Sequence, residues 1–196
     1  MPYYFKFYDR QGDDDPKFSC RLQAERCSGR TKAGNQCSRS SVIGTPWCWT
    51  HLLAVKHLRI KDSTVAGAGK GLFALDKSRP TGEIMFRPGQ DIIEYGGELI
   101  GKREADRRYG NKTAPYGLDV SAANVRDAAC ERGVGSLANR PPRGTAANAR
   151  LSANARTQTG KLVATKVIRN GGEIFVAYGG AYNFNEGARH STSGGR

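Results

Sequence analysis

Three cysteines and one histidine near the N-terminus have side chains that bind transition metals. Cys27, Cys37, Cys48 and His51 are separated by 9, 10 and 2 residues. Cys48 and His51 are close enough to share one cation, and Cys27 and Cys37 can complete the tetrahedral set that zinc prefers. The intervening segments are rich in turn residues, so a metal would supply folding energy that a core cannot. We predict a structural zinc site, because four protein ligands leave no position for water or substrate.

The alternative for these cysteines is a set of buried thiols without a metal. Cys20 could replace one ligand or stay free, and Cys130 is expected to be a buried thiol. Cysteines of an intracellular protein are more often thiols or metal ligands than disulfides. A zinc module that binds nucleic acid is another use of such a segment.

A tyrosine near the C-terminus stands at the end of an apolar run. Residues 174–178 (Ile-Phe-Val-Ala-Tyr) lie between Gly171-Gly172-Glu173 and a second glycine pair, which predicts a short buried strand. At its end, Tyr178 can pack its ring inside and present its hydroxyl to a pocket. The alternative is that Tyr178 only fills the core.

Two further stretches have residues that can contact a ligand. Residues 67–74 (Gly-Ala-Gly-Lys-Gly-Leu-Phe-Ala) have glycines at 69 and 71, where the backbone can approach a ligand and offer N–H and C=O groups. They lack the ending of a phosphate-binding Walker loop and the βαβ pattern of a dinucleotide fold. A plain hairpin turn is the alternative. Residues 136–140 (Ser-Leu-Ala-Asn-Arg) include Asn139, whose amide is both donor and acceptor.

These motifs, with Tyr-Gly-Gly-Glu at residues 95–98, resemble in their order the motifs of SET-domain protein lysine methyltransferases. The resemblance extends from about residue 58 to residue 182. It implies a knotted β fold that binds S-adenosylmethionine on one face and a lysine side chain on the other. The implied cofactor-binding residues are Gly69, Lys70, Gly71, Asn139, Arg140 and Tyr178.

The same resemblance implies a lysine channel. Tyr116 and Tyr178 would line it as the catalytic residues, with Tyr178 orienting the amine and the methyl group. Val176 occupies the position that in relatives is linked to the number of methyl groups added. Tyr182, together with Phe184, would close the channel.

The sequence departs from the family around Asn139. Relatives usually carry Asn-His-Ser-Cys-x-Pro-Asn, whereas Arg140 replaces the histidine and three extra residues separate Asn139 from Asn148. Arginine has no acceptor, so Arg140 is assigned to the cofactor site by position only. The cysteine that serves some relatives as a zinc ligand is also missing.

The net charge and its distribution along the chain indicate which class of partner the protein binds. The net charge is +13, and residues 132–172 contain eight lysines and arginines and no acidic residue. Such a stretch favours chromatin or nucleic acid as a partner, although a merely solubilising surface is the alternative. We expect no membrane span and no secretory signal, and therefore an intracellular, nuclear protein.

We predict a mainly β (α+β) protein with three parts. Residues 1–57 contain the zinc module at about 20–51, residues 58–184 form the SET domain, and residues 185–196 form a flexible tail. The sequence of residues 102–109 predicts a short helix. We expect this helix to be exposed, because it is charged nearly all round. In the tail, residues 188–195 resemble a histone tail with His190 at the lysine position, which would make a pseudosubstrate.

The function predicted from these observations is S-adenosylmethionine-dependent methylation of a protein lysine, with a histone tail as the substrate. One alternative is methylation of another basic protein. The other is a catalytically inactive, SET-like zinc protein that binds chromatin or nucleic acid, which the altered motif after Asn139 favours.

Overall fold

The computed structural model describes residues 3–8, 13–22, 24–42, 45–110, 114–177 and 188–189. The strands are β1 (Tyr3–Phe7), β2 (Phe18–Leu22), β3 (Leu58–Asp62), β4 (Lys70–Ala74), β5 (Ile84–Phe86), β6 (Asp91–Tyr95), β7 (Glu98–Gly101), β8 (Gly117–Asp119), β9 (Asn124–Asp127), β10 (Ala149–Asn154), β11 (Thr159–Ala164), β12 (Ile168–Arg169) and β13 (Ala188–Arg189). The helices are α1 (Trp49–Lys56), α2 (Lys102–Tyr109) and a short 3₁₀ helix, Val134–Leu137. Neither α-helix in this described part of the chain is long and apolar enough to cross a membrane.

Within the described residues the strands form five small sheets. Their hydrogen-bonded orders are β13-β1-β2, β10-β11-β6, β12-β5, β3-β4 and β7-β9-β8, and each named pairing is antiparallel. Sheets of two or three strands are marginal in water, so each must pack against other elements. The mainly β fold class predicted from the sequence is confirmed.

The largest apolar cluster joins α1 to the β3–β4 hairpin and the β10-β11-β6 sheet. Leu52 of α1 and Leu58 of β3 are fully buried in it, as are Leu72, Leu162 and Ile174. Burial of one such side chain contributes roughly 1.5–3 kcal/mol. The cluster therefore attaches the helix that follows the cysteine-rich segment to the β domain.

The N-terminal β1–β2 hairpin has a second, smaller core. Phe5 and Phe7 are fully buried beside Tyr109 and Ala129, and the Phe7 and Tyr109 rings meet edge-on with centroids 5.1 Å apart. The free edge of β1 also pairs with β13. The aromatic residues of the N-terminus therefore pack the hairpin against α2.

A disulfide joins Cys20 of β2 to Cys130, with Cα atoms 5.8 Å apart. The expectation that Cys130 is a buried thiol, and that Cys20 is either free or an alternative metal ligand, is therefore wrong. The two cysteines are 110 residues apart in sequence. Only the packing of the hairpin against Tyr109 and Ala129 brings them together, and no local pattern shows that contact.

The helix predicted at residues 102–109 is confirmed as α2, but it is exposed on one face only, at Arg103, Asp106 and Arg107. Tyr109 is fully buried and the Arg108 side chain is only 11% exposed. Arg108 pairs with three carboxylates, those of Glu98, Glu104 and Asp127. The Tyr109 hydroxyl also donates to Asp127 Oδ2 at 2.7 Å. A charged helix can bury one face when each charge on that face has a partner of opposite sign.

Residues 173–176 connect three separate parts of the fold. The Ile174 N–H donates to the carbonyl of Leu72 in β4 at 2.7 Å, and the Val176 N–H donates to the carbonyl of Asn139 at 2.8 Å. The carbonyl of Phe175 accepts from the N–H of Ala149 at 2.9 Å. The C-terminal segment thus lies against β4, residue 139 and the start of β10 at once.

Candidate functional site

The carboxylate of Glu173 is the centre of a buried polar cluster. The residue is only 6% exposed. The Ser63 and Thr64 hydroxyls each donate to it at 2.6 Å, and the Thr64 N–H donates at 2.7 Å. All three donors belong to the loop between β3 and β4. The carboxylate therefore holds this loop against a segment about 110 residues further along the chain.

Gly71, one of the predicted cofactor-binding residues, lies directly against this carboxylate. A Cβ at residue 71 would clash with Glu173 Oε1 and lie 3.2 Å from Asn139 Nδ2. Gly69 has a φ of +69°, in the left-handed region that favours glycine. We call the β3–β4 loop, with the buried Gly71 beside it, the cradle; the exposed backbone around Gly69 is the part of it that a ligand can contact directly.

Two asparagines flank residues 173–175. Asn139 Nδ2 donates to the carbonyl of Lys70 at 3.0 Å and contacts Glu173 Oε1 at 3.4 Å. Asn148 Nδ2 donates to the carbonyl of Glu173 at 2.9 Å, and its Oδ1 accepts from the Phe175 N–H at 2.8 Å. The asparagines that the sequence matched to one motif thus have different contacts. Asn139 faces the cradle, whereas Asn148 fixes the backbone of the C-terminal segment.

The side chains of Lys70 and Arg140 do not join this cluster. Lys70 Nζ lies 2.6 Å from Asp62 Oδ1 on the exposed side of the β3–β4 hairpin, and only the Lys70 carbonyl reaches Asn139. Arg140 is exposed. Of the predicted cofactor-binding residues, the structure brings together Gly71, the Lys70 backbone and Asn139.

Tyr116 lies in a partly aromatic environment next to an arginine. Its ring meets Phe5 edge-on at 5.7 Å, and the Arg132 guanidinium lies over it, 4.3 Å from its centroid. Burial raises the pKa of the Tyr116 hydroxyl, although the charge of Arg132 acts in the opposite direction. Arg132 Nε and Nη2 are buried and have no hydrogen-bond partner in the part of the chain that the structure describes.

The other predicted channel residues divide into two groups. Val176 is 1% exposed and packs in the largest apolar cluster. Tyr178 and Tyr182, like Phe184, lie outside the described residues. The assignment of Tyr178 as a catalytic and cofactor-binding residue therefore stays a prediction, as does the role of Tyr182.

Sequence reasoning missed two residues of this region. Glu173 was recognised only as part of a glycine-rich motif, although it is the first acidic residue after the stretch from 132 to 172 and precedes a β-prone run. That isolated position was a usable signal. Arg132 gave no signal, because its contact with Tyr116 depends on the tertiary fold.

The predicted metal ligands form a second candidate site. The ligand atoms of Cys27, Cys37, Cys48 and His51 all lie within 4.8 Å of one another. His51 Nδ1 is 3.3 Å from Cys48 Sγ, and its Nε2 lies 2.8 Å from the carbonyl of Arg30. A proton on Nε2 would bond this carbonyl and leave Nδ1 directed at the sulfurs, as in metal-bound histidines.

The electrostatics of this cluster differ from one ligand to the next, and they favour the ionised, metal-binding form at Cys48. Burial opposes ionisation of Cys48, but hydrogen bonds from the His51 backbone and ring outweigh it and lower the pKa of Cys48 to about 6. The pKa of His51 is raised, chiefly by its contact with Cys48. The pKa of Cys27 is raised by burial. Three sulfurs and one imidazole in one buried cluster fit a structural metal site.

The basic stretch from 132 to 172 is largely at the surface. Seven of its eight cationic residues are exposed, namely Arg140, Arg143, Arg150, Arg156, Lys161, Lys166 and Arg169. Lys161 pairs with Asp91 at 2.7 Å, and Arg169 donates to the carbonyl of Gly82 at 2.8 Å. The others supply the positive surface that the composition predicted.

Comparison with known proteins finds solved structures whose fold is similar to that of this chain. No family model matches the sequence, and no curated protein matches it. Among solved structures, the chain is similar to one of ctPRC2 in an autoinhibited conformation bound to S-adenosylmethionine, with 24% identity and a TM-score of 0.51 over 76% of this chain and 17% of that one.

Two further structures of polycomb repressive complex 2 from Chaetomium thermophilum are similar. A humanised mutant bound to an inhibitor has 25% identity and a TM-score of 0.51 over 72% of this chain and 17% of that one. The crystal structure of the complex has 23% identity and a TM-score of 0.51 over 79% and 18%. The chain thus spans less than a fifth of the length of each. The likeness supports the SET-like β fold.

Proposed function

We propose that the chain is an S-adenosylmethionine-dependent protein-lysine N-methyltransferase with an N-terminal structural zinc module. The convergence of the β3–β4 loop, Gly71 and Asn139 on Glu173 is the observation that carries this proposal. It occurs in a chain whose fold resembles that of a chain solved with S-adenosylmethionine.

The methionine part of the cofactor would bind at the cradle beside the β3–β4 loop. Gly69 and Gly71 would offer backbone groups to it, and Asn139 would add its side chain. The Nδ2 of Asn139 is already bound to the Lys70 carbonyl, so its Oδ1 is the atom left to accept from an ammonium group. When bound, S-adenosylmethionine supplies a methyl group on a positively charged sulfur.

The substrate lysine must lose a proton before its nitrogen can attack, because a free lysine has a pKa of about 10.4. A buried positive charge disfavours a second cation beside it. The guanidinium of Arg132 over the Tyr116 ring would therefore favour the neutral amine in a channel lined by Tyr116. Tyr178 would orient that amine through its hydroxyl.

The donor set of the N-terminal cluster fits zinc. Cys27, Cys37, Cys48 and His51 would hold the ion at four protein ligands, so the ion would stabilise the module and take no part in methyl transfer. Cys20 is not available as a ligand, because it is bonded to Cys130.

A histone tail is the proposed substrate and the nucleus the proposed location. The exposed basic stretch supports an encounter with chromatin, whose nucleic acid is anionic. Another basic protein is the alternative substrate. A non-catalytic zinc protein is the second candidate function, favoured by the exposed Arg140 at the position of the motif histidine.

Mass spectrometry of histones and nucleosomes incubated with the zinc-loaded chain and S-adenosylmethionine tests the proposal. We expect a mass increase of one methyl group on a lysine, abolished in Tyr178→Phe and in Asn139→Ala but kept in Arg87→Ala, a change of an exposed residue. Calorimetry should show that Asn139→Ala weakens cofactor binding, whereas Tyr178→Phe mainly impairs transfer. Cofactor binding without transfer to any basic protein would favour the non-catalytic alternative. Absence of cofactor binding would refute the proposal that the chain is a methyltransferase.

A further inference from the structure

A groove lies between α1 and the turn after β4, and its residues differ from those of both sites described above. Its volume is about 600 Å³, within the range of roughly 300–1,000 Å³ usual for sites that hold ligands. The groove is lined by Trp49, Thr50, Leu53, Ala54, His57, Arg59, Asp76, Lys77 and Ser78. We call it the Trp49 groove.

An exposed tryptophan forms part of this groove. Trp49 is 43% exposed, although burial of an indole ring is strongly favourable. The guanidinium of Arg59 lies over the ring, 4.7 Å from its centroid. An arginine over an exposed aromatic ring provides a flat platform on which a further planar group can stack.

The rim of the groove is positive. Arg59 and Lys77 line it, and Arg39 of the cysteine-rich segment reaches it through a hydrogen bond to the Thr50 hydroxyl. Asp76 is the one acidic residue among the described residues that line it, and internal donors already bind its carboxylate. The Ser78 hydroxyl donates to Asp76 Oδ1 at 2.7 Å.

The other oxygen of Asp76 faces two basic groups. Asp76 Oδ2 lies 3.3 Å from His57 Nδ1 and 3.4 Å from Arg79 Nε. The pKa of Asp76 is lowered, first by the hydrogen bonds from Ser78. The carboxylate is thus part of the local structure, and the uncompensated charge at the groove is cationic.

The positive charge continues from the groove along the cysteine-rich segment. Residues 24–61 include seven lysines and arginines but a single acidic residue, Glu25. Arg26, Arg30, Lys32 and Arg39 are all exposed. A long anion can follow such a surface beyond the groove, which a single small anion cannot do.

We infer that the Trp49 groove and the adjoining cysteine-rich segment bind single-stranded nucleic acid. One unpaired base stacks on the Trp49 ring, and Arg39, Arg59 and Lys77 contact the phosphates on either side. Single strands suit this surface because their bases are free to leave the stack and lie on aromatic side chains. An acidic peptide would satisfy the cations, but its carboxylate side chains would offer no aromatic ring to stack on the indole. The residues of this surface differ from those of the basic stretch at 132–172.

The test is the change in fluorescence anisotropy of a labelled oligothymidylate of about 12 nucleotides, titrated with the full zinc-loaded chain without S-adenosylmethionine. Loss of one stacked base corresponds to a roughly 5- to 150-fold weaker Kd, which we expect for Trp49→Leu. Trp49→Phe keeps an aromatic ring, so its Kd should lie within about threefold of that of the unchanged chain. This comparison distinguishes a loss of stacking from a loss of folding. Val55→Ala is the matched control, because Val55 is 57% exposed on the same helix and does not line the groove.

Salt dependence tests the phosphate contacts. Each lost contact to a single strand should reduce the slope of log K against log salt by about 0.7, so we expect this reduction in Arg59→Gln and in Lys77→Gln. Lys166→Gln, in the other basic stretch, should leave affinity for the oligonucleotide within about twofold.

Three results would overturn the inference. The first is equal binding by Trp49→Leu and Val55→Ala. The second is competition by duplex DNA of the same length or by polyglutamate as effective as that by unlabelled oligothymidylate. The third is a larger loss in Lys166→Gln than in Arg59→Gln. Because the assay needs neither cofactor nor protein substrate, its outcome is independent of the proposed methyl transfer.

Discussion

The substitution Glu173→Gln tests whether the buried carboxylate holds the proposed cofactor cradle together. Glutamine keeps the shape of the side chain but replaces one acceptor oxygen with an NH₂ group. Glu173 Oε1 accepts from Ser63, and Oε2 accepts from both the N–H and the hydroxyl of Thr64. In either orientation of the amide, the new NH₂ group faces a donor of the β3–β4 loop.

The magnitude follows from these contacts. If the NH₂ group takes the place of Oε2, the Thr64 N–H loses its acceptor in a part-buried contact. A fully buried donor without a partner costs about 1–3 kcal/mol, which is the upper limit here. If the NH₂ group takes the place of Oε1, the Ser63 hydroxyl can rotate to accept from it. The negative charge of the Glu173 side chain is lost in either case. For a chain of this length, 1 kcal/mol lowers the Tm by roughly 2–4 °C. We therefore expect a decrease in the Tm of up to about 12 °C.

The assay combines thermal unfolding with titration calorimetry of S-adenosylmethionine. The loop between β3 and β4 should lose its fixed position next to Gly71, so the affinity for the cofactor should fall by at least about tenfold, on the scale of one lost charge-assisted hydrogen bond. Glu83→Gln is the matched control, since the Glu83 side chain is 45% exposed and, among the residues that the structure describes, pairs with Arg79 alone, at 3.0 Å. A Glu173→Gln variant with the Tm and cofactor affinity of this control would refute the reasoning.

Three other perturbations have definite expected outcomes. Cys37→Ser should abolish the binding of a single zinc ion and unfold the cysteine-rich segment, whereas Cys20→Ser should keep the zinc; metal analysis and circular dichroism distinguish these results. Under non-reducing conditions Cys20→Ser should lower the free energy of unfolding by up to about 5 kcal/mol, because the disulfide closes a loop of 110 residues; a denaturant titration unaffected by the change would contradict this. Glu104, whose pKa is lowered from 4.5 to about 2 by hydrogen bonds from Arg107 and Arg108, should stabilise the fold above pH 4.5 and lose this effect as the pH falls towards 2. Denaturation at several pH values should show a smaller acid-dependent loss in Glu104→Gln.

The metal cluster was the part most accessible to sequence reasoning. The ligands lie within 25 residues, from Cys27 to His51, and the turns between them leave few ways to place four such side chains. The glycine motif at residues 69–71 was also informative, because a left-handed φ and a close approach both demand glycine at specific positions.

Contacts over long sequence separations were not accessible. Glu173 and its donors are about 110 residues apart, and Cys20 and Cys130 are also 110 apart. The helix at 102–109 was misjudged for a related reason. From the sequence alone, Arg108 is expected to face the solvent, as arginines of short charged helices usually do. The tertiary fold instead places Arg108 between three carboxylates.

The β4 strand contacts both its hairpin partner β3, which packs against α1, and the segment that contains Glu173. On one edge β4 pairs with β3, whose Leu58 packs with Leu52 of α1. His51 belongs to that same helix. On its other edge β4 receives the N–H of Ile174, next to Glu173.

A metal bound by His51 therefore stabilises a helix that packs on one strand of the hairpin, and the loop of that hairpin is held by Glu173. Loss of the metal should loosen α1 and, through β3 and β4, the cradle beside Gly71. The cysteine and histidine cluster and the candidate cofactor site thus share one hairpin, so a metal in that cluster would support the proposed cofactor site through the fold alone and not through the chemistry.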